Sequence, residues 1–351
     1  MNFSESDIFR ERCDHCQRLD LLNMINDALV LVKAQTGAVL FMNERALELY
    51  QYTNEESLTL TMKNISNDST KLNHENGRAT KRYPNGYVFT SNHIKKDGSI
   101  FKVEISTRYM NLHGDEIFAS VVRNLTPDLK MREEVELAGK VQRRTLPRDL
   151  DENLFRIRSI YQPHNYVSGD LYDFVFEDSK EILYGVVIDV MGHGIAAAMQ
   201  AGVLKYLFTI AMKKSIPIND KLAWMNHEVM PFFASGGFAG VFLFELDFKC
   251  NILTYSAGGI NHFIFIKEQG PEVVKAPGLF LGINVDEVFD QGVCHFQSSE
   301  SFLFLTDGLF ELISPPMSAE MDFWGMQDMC KILTSSGVGR DDASGVGILI
   351  R

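Results

Sequence analysis

Ile182-Leu183-Tyr184-Gly185-Val186-Val187-Ile188-Asp189-Val190-Met191-Gly192-His193-Gly194 opens as an almost unbroken apolar run and closes on a carboxylate and a glycine-rich turn. An apolar run of that length, rich in β-branched side chains, is expected to form a central strand buried on both faces. Asp189 stands at its end, where a carboxylate is costly unless a cation or a donor compensates it. The glycines that follow permit tight turns and let main-chain oxygen approach a metal. A simple helix N-cap would sit directly before the helix, and Asp189 stands several residues ahead of it.

Three more acidic motifs lie in the C-terminal part of the chain: Ser168-Gly169-Asp170 with Asp173 just beyond, Thr306-Asp307-Gly308, and Asp341-Asp342. Residues 302–305 read as a buried strand that Asp307 is expected to end. Asp341 and Asp342 follow the flexible Gly337-Val338-Gly339-Arg340 and precede a last strand, and adjacent like charges of this kind are relieved by a nearby cation. Hard divalent cations such as Mg²⁺ and Mn²⁺ are held by carboxylate and carbonyl oxygens plus water. Two side by side turn a bridging water into a nucleophile and clamp a phosphoryl group. Taken singly, each motif reads as a turn aspartate, and spacing along the chain does not bring them together in space.

From about residue 151 onward, strand-like runs cover 155–161, 171–177, 182–190, 240–246, 252–257, 263–267, 301–306 and 344–350, with helices expected over 195–214 and 220–233. Many short strands with a few inserted helices imply an α+β class, packed antiparallel sheets flanked by helices. Residues 21–127 read as a smaller mixed α/β domain, with strands over 28–33, 38–42, 87–94, 101–109 and 117–122. Asn43 stands where a helix N-cap belongs, and Lys96-Asp97-Gly98 forms a hairpin turn. Thr126-Pro127 ends the domain. Over 128–145, Leu129, Met131, Val135, Ala138 and Val141 recur at helical spacing, which predicts an amphipathic helix with a narrow apolar seam, closed by Leu146-Pro147. The expected organisation is an N-terminal segment 1–20, a mixed α/β domain 21–127, a helical linker 128–150 and a larger α+β domain 151–351.

The totals set outer bounds. With 351 residues the chain has room for two cores, and a formal net charge of -12 argues against a nucleic-acid partner. Met1 to Asp20 carry no apolar signal core, and no apolar run reaches the length of a membrane span, so a cytoplasmic protein is expected. The five cysteines show no disulfide framework. Cys13 and Cys16 read as two thiols on a terminal helix, since no second ligand pair completes a zinc site.

Met42-Asn43-Glu44-Arg45-Ala46, the Lys96-Asp97-Gly98-Ser99 hairpin and the exit Val122-Arg123-Asn124-Leu125-Thr126 resemble a PAS sensor domain, with Asn124 where that family usually has Asp. The resemblance names no ligand. The cysteine motif of flavin-binding light sensors is not evident, and His74 reads as a loop residue rather than a haem ligand.

Ala138-Gly139-Lys140-Val141-Gln142, Val167-Ser168-Gly169-Asp170-Leu171-Tyr172-Asp173, the Asp189–Gly194 motif with Ala196-Ala197-Ala198-Met199, Ser256-Ala257-Gly258-Gly259, Leu281-Gly282-Ile283, Leu305-Thr306-Asp307-Gly308-Leu309-Phe310-Glu311 and Arg340-Asp341-Asp342-Ala343-Ser344 carry a second likeness. In order and spacing they resemble the metal-dependent PPM (protein phosphatase 2C-like) serine/threonine phosphatases of the SpoIIE/RsbU branch. The resemblance implies two divalent cations, Mn²⁺ or Mg²⁺. Asp189 would bridge them with the Val190 carbonyl as a ligand, Asp307 and Asp341 would complete the site, and Asp170 would hold the second ion directly or through water. Asp342 would be secondary, Gly169 and Gly192 would shape the pocket, and His193 would be structural.

Asp189 and Asp170 are therefore the expected catalytic pair. Metal-activated water would attack phosphorus in line and expel the seryl or threonyl oxygen of a phosphoprotein, with no phosphoenzyme. Ser168 replaces a common glycine, Gly259 stands where the branch often has His, and no arginine accompanies Asp170; none of these removes a ligand. The implied substrate is a phosphorylated STAS-domain antagonist of an anti-sigma factor, with regulation through the PAS-like domain and a homodimer through that domain and the linker helix. The rival is a phosphatase fold that has lost catalysis and serves as a scaffold for signalling partners. A nucleotide-directed enzyme is disfavoured because no glycine loop with lysine is present.

Overall fold

A computed structural model describes residues 22–66, 86–112, 115–233, 236–313 and 341–351. The segment 1–20, with Cys13 and Cys16, and His74, Cys330 and Gly337 to Arg340 lie outside the described residues. The chain forms two compact units that divide between Arg132 and Glu133.

The first unit contains β1 (Ala28–Lys33), β2 (Val39–Met42), α1 (Glu44–Tyr50), α2 (Asn54–Ser57), α3 (Met62–Ile65), β3 (Tyr87–Ile94), β4 (Ile100–Leu112) and β5 (Asp115–Asn124). Among the described residues the strands make one antiparallel sheet in the order β2-β1-β5-β4-β3, the mixed α/β arrangement expected from the sequence. Its core joins Val30, Met42, Tyr50, Ile65, Val103 and Val122. Asn43 is the cap its position predicts: Oδ1 accepts from Ala46 N at 3.0 Å and from Leu29 N at 2.8 Å, tying the helix start to β1. The helices α2 and α3 escape the sequence reading because four residues are too few to show an apolar period. Their signal was the Thr53–Glu56 and Thr61–Asn64 pairs at each start.

A long helix, α4 (Thr126–Thr145), follows, and it begins earlier than its apolar period suggests. Pro127 ends the sheet and also opens the helix, because a first-turn residue needs no N–H partner and proline's φ already suits a helix.

The second unit carries β6 (Phe155–Gln162), β7 (Asp170–Glu177), β8 (Ile182–Val190), α5 (Ile195–Ala211), α6 (Ile218–Val229), β9 (Ala239–Asp247), β10 (Ile252–Gly258), β11 (His262–Lys267), β12 (Gly270–Lys275), β13 (Gly292–His295), β14 (Ser301–Leu305), α7 (Asp307–Ile313) and β15 (Ala343–Ile350). Two sheets, β13-β10-β9-β8-β7 and β12-β11-β14-β15-β6, face each other. Between them lies an aromatic core in which Phe244 and Phe304 stack with centroids 4.0 Å apart. A side chain at Gly185 would overlap the Phe244 ring, so the glycine inside the apolar run makes room for this core. The outer face of the first sheet is covered by α5 and α6, and Leu309 of α7 packs on the outer face of the second.

The expected α+β sandwich flanked by helices is thus present, and β8 is a central strand, covered on one face by the aromatic core and on the other by helices. Two strands went unread. β12 and β13 have alternating or largely exposed patterns with glycine or proline at their starts, so they lack the apolar run that marks the others. Asp307 also needs correcting: the strand stops at Leu305, and Asp307 is the first residue of α7 rather than the last of a strand. A carboxylate is favoured there by the helix dipole.

Candidate metal centre

Asp170 and Asp189 are register partners across the antiparallel pair β7 and β8. Direct partners in such a pair point to the same face, so pairing alone brings two carboxylates together at the sheet end. Asp170 is buried, and its Oδ2 accepts a hydrogen bond of 2.7 Å from Thr306 Oγ1. Thr306 is itself fully buried; its hydroxyl also accepts from Ser344 N at 3.0 Å and so ties β14 to β15 beneath the site.

Burial, then the Asp189 charge, pushes Asp170 well above the usual carboxylate range, the Thr306 hydrogen bond opposing this. Asp189 is pushed up to about 8, first by burial and then by the charge of Asp307, a hydrogen bond with Asp307 and the charge of Asp341. Asp170, Asp189, Asp307 and Asp341 therefore converge from β7, β8, the start of α7 and the loop before β15. Asp307 and Asp341 lie exposed at the open side.

Glycines make this convergence possible. A Cβ at Gly308 would overlap the Asp342 carbonyl oxygen, so the bare backbone lets the 341–342 loop close on Asp307. A Cβ at Gly169 would stand 2.9 Å from the Val190 carbonyl oxygen and 3.1 Å from that of Gly192. Those two carbonyls thus lie against the residue next to Asp170. Gly192 and Gly194 hold φ of 88° and 86°, left-handed values that place the turn where other residues would be strained. Gly194, not Asp189, precedes α5, and no side chain caps it.

Asp342 has another occupation. Its Oδ1 accepts from His164 N at 2.7 Å and its Oδ2 from Gly169 N at 2.8 Å, which fastens the loop ahead of β7. Asp173 pairs with Lys205 on α5. His193 is exposed, with its ring 6.4 Å from that of His164.

The donor set suits a hard cation: four carboxylates, Asp170 buried and Asp189 half-buried, beside main-chain carbonyls. Among the described residues no three His, Cys, Asp or Glu are drawn as tightly as a coordination sphere requires. Sequence reasoning missed Thr306 as a partner of Asp170 and Gly308 as the residue that admits Asp341. Both were quoted within a motif, and their roles depend on contacts across 136 residues and with the 341–342 loop.

Residues 181–345 match the family described as stage II sporulation protein E (SpoIIE). Phosphoserine phosphatase RsbU of Bacillus subtilis (strain 168) is 26% identical over 185 residues, covering 52% of this chain and 55% of that protein. Phosphoserine phosphatase RsbP of the same organism is 24% identical over 189 residues, covering 52% and 46%. The chain thus spans about half the length of the curated relatives it matches. Among solved structures, the SiaA-PP2C domain of Pseudomonas aeruginosa is similar with a TM-score of 0.52 at 13% identity, over 65% of this chain and 100% of that one. At that identity the likeness shows the PP2C-type fold alone.

Proposed function

We propose that the second unit, whose residues 181–345 match the SpoIIE family and whose fold is PP2C-like, is a metal-dependent phosphoprotein phosphatase of bacterial signalling. One observation carries the reading: Asp170 and Asp189 face each other across paired strands while the charges of Asp307 and Asp341 bear on Asp189. The names of the two Bacillus relatives support a phosphoserine substrate.

In this reading Asp189, the Val190 carbonyl, Asp307 and Asp341 would hold the divalent ions, with Asp170 contributing directly or through water. Two Mn²⁺ or Mg²⁺ ions, when bound, supply an acidified water and offset the charge of a phosphoryl group. Thr306 holds Asp170 in one orientation through its 2.7 Å hydrogen bond. Asp342 keeps Gly169 in place, and Gly169 leaves the Val190 and Gly192 carbonyls uncovered. Exposed Asp307 and Asp341 leave the site open to a phosphorylated side chain presented by another protein. The proposed substrate is a small STAS-type antagonist in the cytoplasm; among the described residues no helix is long and apolar enough to cross a membrane. The PAS-like unit regulates the site through α4, and the protein pairs through that unit and that helix.

The test is Mn²⁺-dependent release of phosphate from a phosphoserine peptide and from an aryl phosphate. Hydrolysis that vanishes in chelator and in the Asp189→Asn protein is the expected result. A chain with intact aspartates that hydrolyses neither, with Mn²⁺ or Mg²⁺, is a scaffold instead.

A further inference from the structure

We propose that Gln142 is a positioning residue for Asp170, acting through the backbone of Ser168; the inference rests on the metal-site reading above. Gln142 lies on α4 within the second unit. Its side-chain amide makes a two-point contact with one buried residue: Nε2 donates to Ser168 O at 2.7 Å, and Oε1 accepts from Ser168 N at 3.0 Å. The same Oε1 accepts from Tyr161 Oη at 2.8 Å, which fixes the amide's orientation from β6.

Ser168 passes this constraint directly to Asp170, because its Oγ accepts the Asp170 N–H at 3.0 Å. Residues 168–170 are thereby held from independent directions: Gln142 on Ser168, Asp342 on Gly169, and the Ser168 hydroxyl with β8 on Asp170. Gly139, three residues before Gln142 and on the same helix face, explains how the amide reaches so far. A Cβ there would overlap the Tyr166 carbonyl oxygen, so the helix backbone rests on the loop itself.

The choice of glutamine follows from its chemistry. A side-chain amide presents one donor and one acceptor side by side, at any pH, to match both backbone groups of a residue. Ser168 is buried, so losing the amide leaves its N–H and C=O without partners in a place water does not reach freely. The loop then shifts to find others, and Asp170 moves with it. Groups that orient a ligand in this way control metal affinity although they never touch the ion.

The experiment is calorimetric titration of the full chain with Mn²⁺ alone, accompanied by melting in chelator. Gln142→Ala is expected to bind Mn²⁺ about tenfold more weakly than wild type or worse, the usual effect of removing a ligand-orienting group. Arg143→Ala serves as the control: it loses the guanidinium 5.1 Å from the Tyr161 ring but keeps the Ser168 clamp, and it is expected to bind as wild type does. Wild-type affinity in Gln142→Ala, or equal weakening in both variants, overturns the proposal.

Should Gln142→Ala fail to fold, Gln142→Glu keeps the size and the acceptor while losing the donor to Ser168 O unless its carboxyl is protonated. Its Mn²⁺ affinity relative to wild type is then expected to fall in mildly alkaline buffer and recover in mildly acidic buffer. A ratio of one in alkaline buffer overturns the proposal. Wild-type protein that binds no Mn²⁺ sinks the metal-site reading itself, an outcome distinct from a clamp that does not matter.

Discussion

Asp189 shows how one residue's environment sets the behaviour of a centre. Its carboxyl ordinarily titrates near 3.8 and is pushed up to about 8, by burial first and by Asp307 next. A folded-state value above the unfolded one means that the folded protein favours the neutral acid. The associated stability is present below the ordinary value and is lost as pH rises toward about 8. In chelator, melting temperature is therefore expected to fall over that range. Asp189→Asn should flatten the fall and melt higher at its alkaline end, by roughly 2–4 °C for each kcal/mol of repulsion relieved. Saturating Mn²⁺ should restore wild type and leave Asp189→Asn unchanged. A wild-type melting temperature that rises through this range in chelator would count against a buried, repelling carboxylate cluster. Whether a given aspartate repels its neighbours is not written in its own motif, and only the partners of Asp170 and Asp189 reveal it.

At the scale of elements, helix α4 was legible as a helix from its apolar spacing, yet not as a part of the site. The residues that fasten it within the second unit are Gly139, Gln142 and Arg143, and none of them belongs to the apolar seam. Gly139 allows a decision between two opposing effects. Alanine is favoured over glycine inside a helix by about 1 kcal/mol. Here its methyl would overlap the Tyr166 carbonyl, and forcing extra volume into a packed place costs about 1–3 kcal/mol. Gly139→Ala is therefore expected to lower the melting temperature of the full chain, measured by calorimetry, although helix propensity alone predicts a gain. Stabilisation would mean that the helix lifts from the loop without loss. The same logic separates the strands that were read from those that were not. β8 and β14 are almost wholly apolar because both faces are covered, whereas β12 and β13 end their sheets and alternate or lie open.

For the whole molecule, the two units have separate cores, and the chain divides inside α4 rather than at Pro127. If the first unit regulates the second, a chain starting at Thr126 is expected to hydrolyse a phosphoserine peptide at a rate differing about fivefold or more from the full chain, the scale of ordinary coupling between sites. Equal rates at matched Mn²⁺ would remove the regulatory reading and leave the phosphatase reading standing. The sequence by itself determined the class of fold, the central strand, the Asn43 cap and the four acidic motifs. Each of these depends on local pattern: apolar period, turn chemistry, or a carboxylate beside glycine. Only the tertiary structure decided that Asp170 pairs with Asp189, that Thr306 reaches Asp170, that Asp342 holds a loop, and that Gln142 grips Ser168. Those relations come from strand register and close backbone approach between segments up to 178 residues apart, and no local window of sequence contains them.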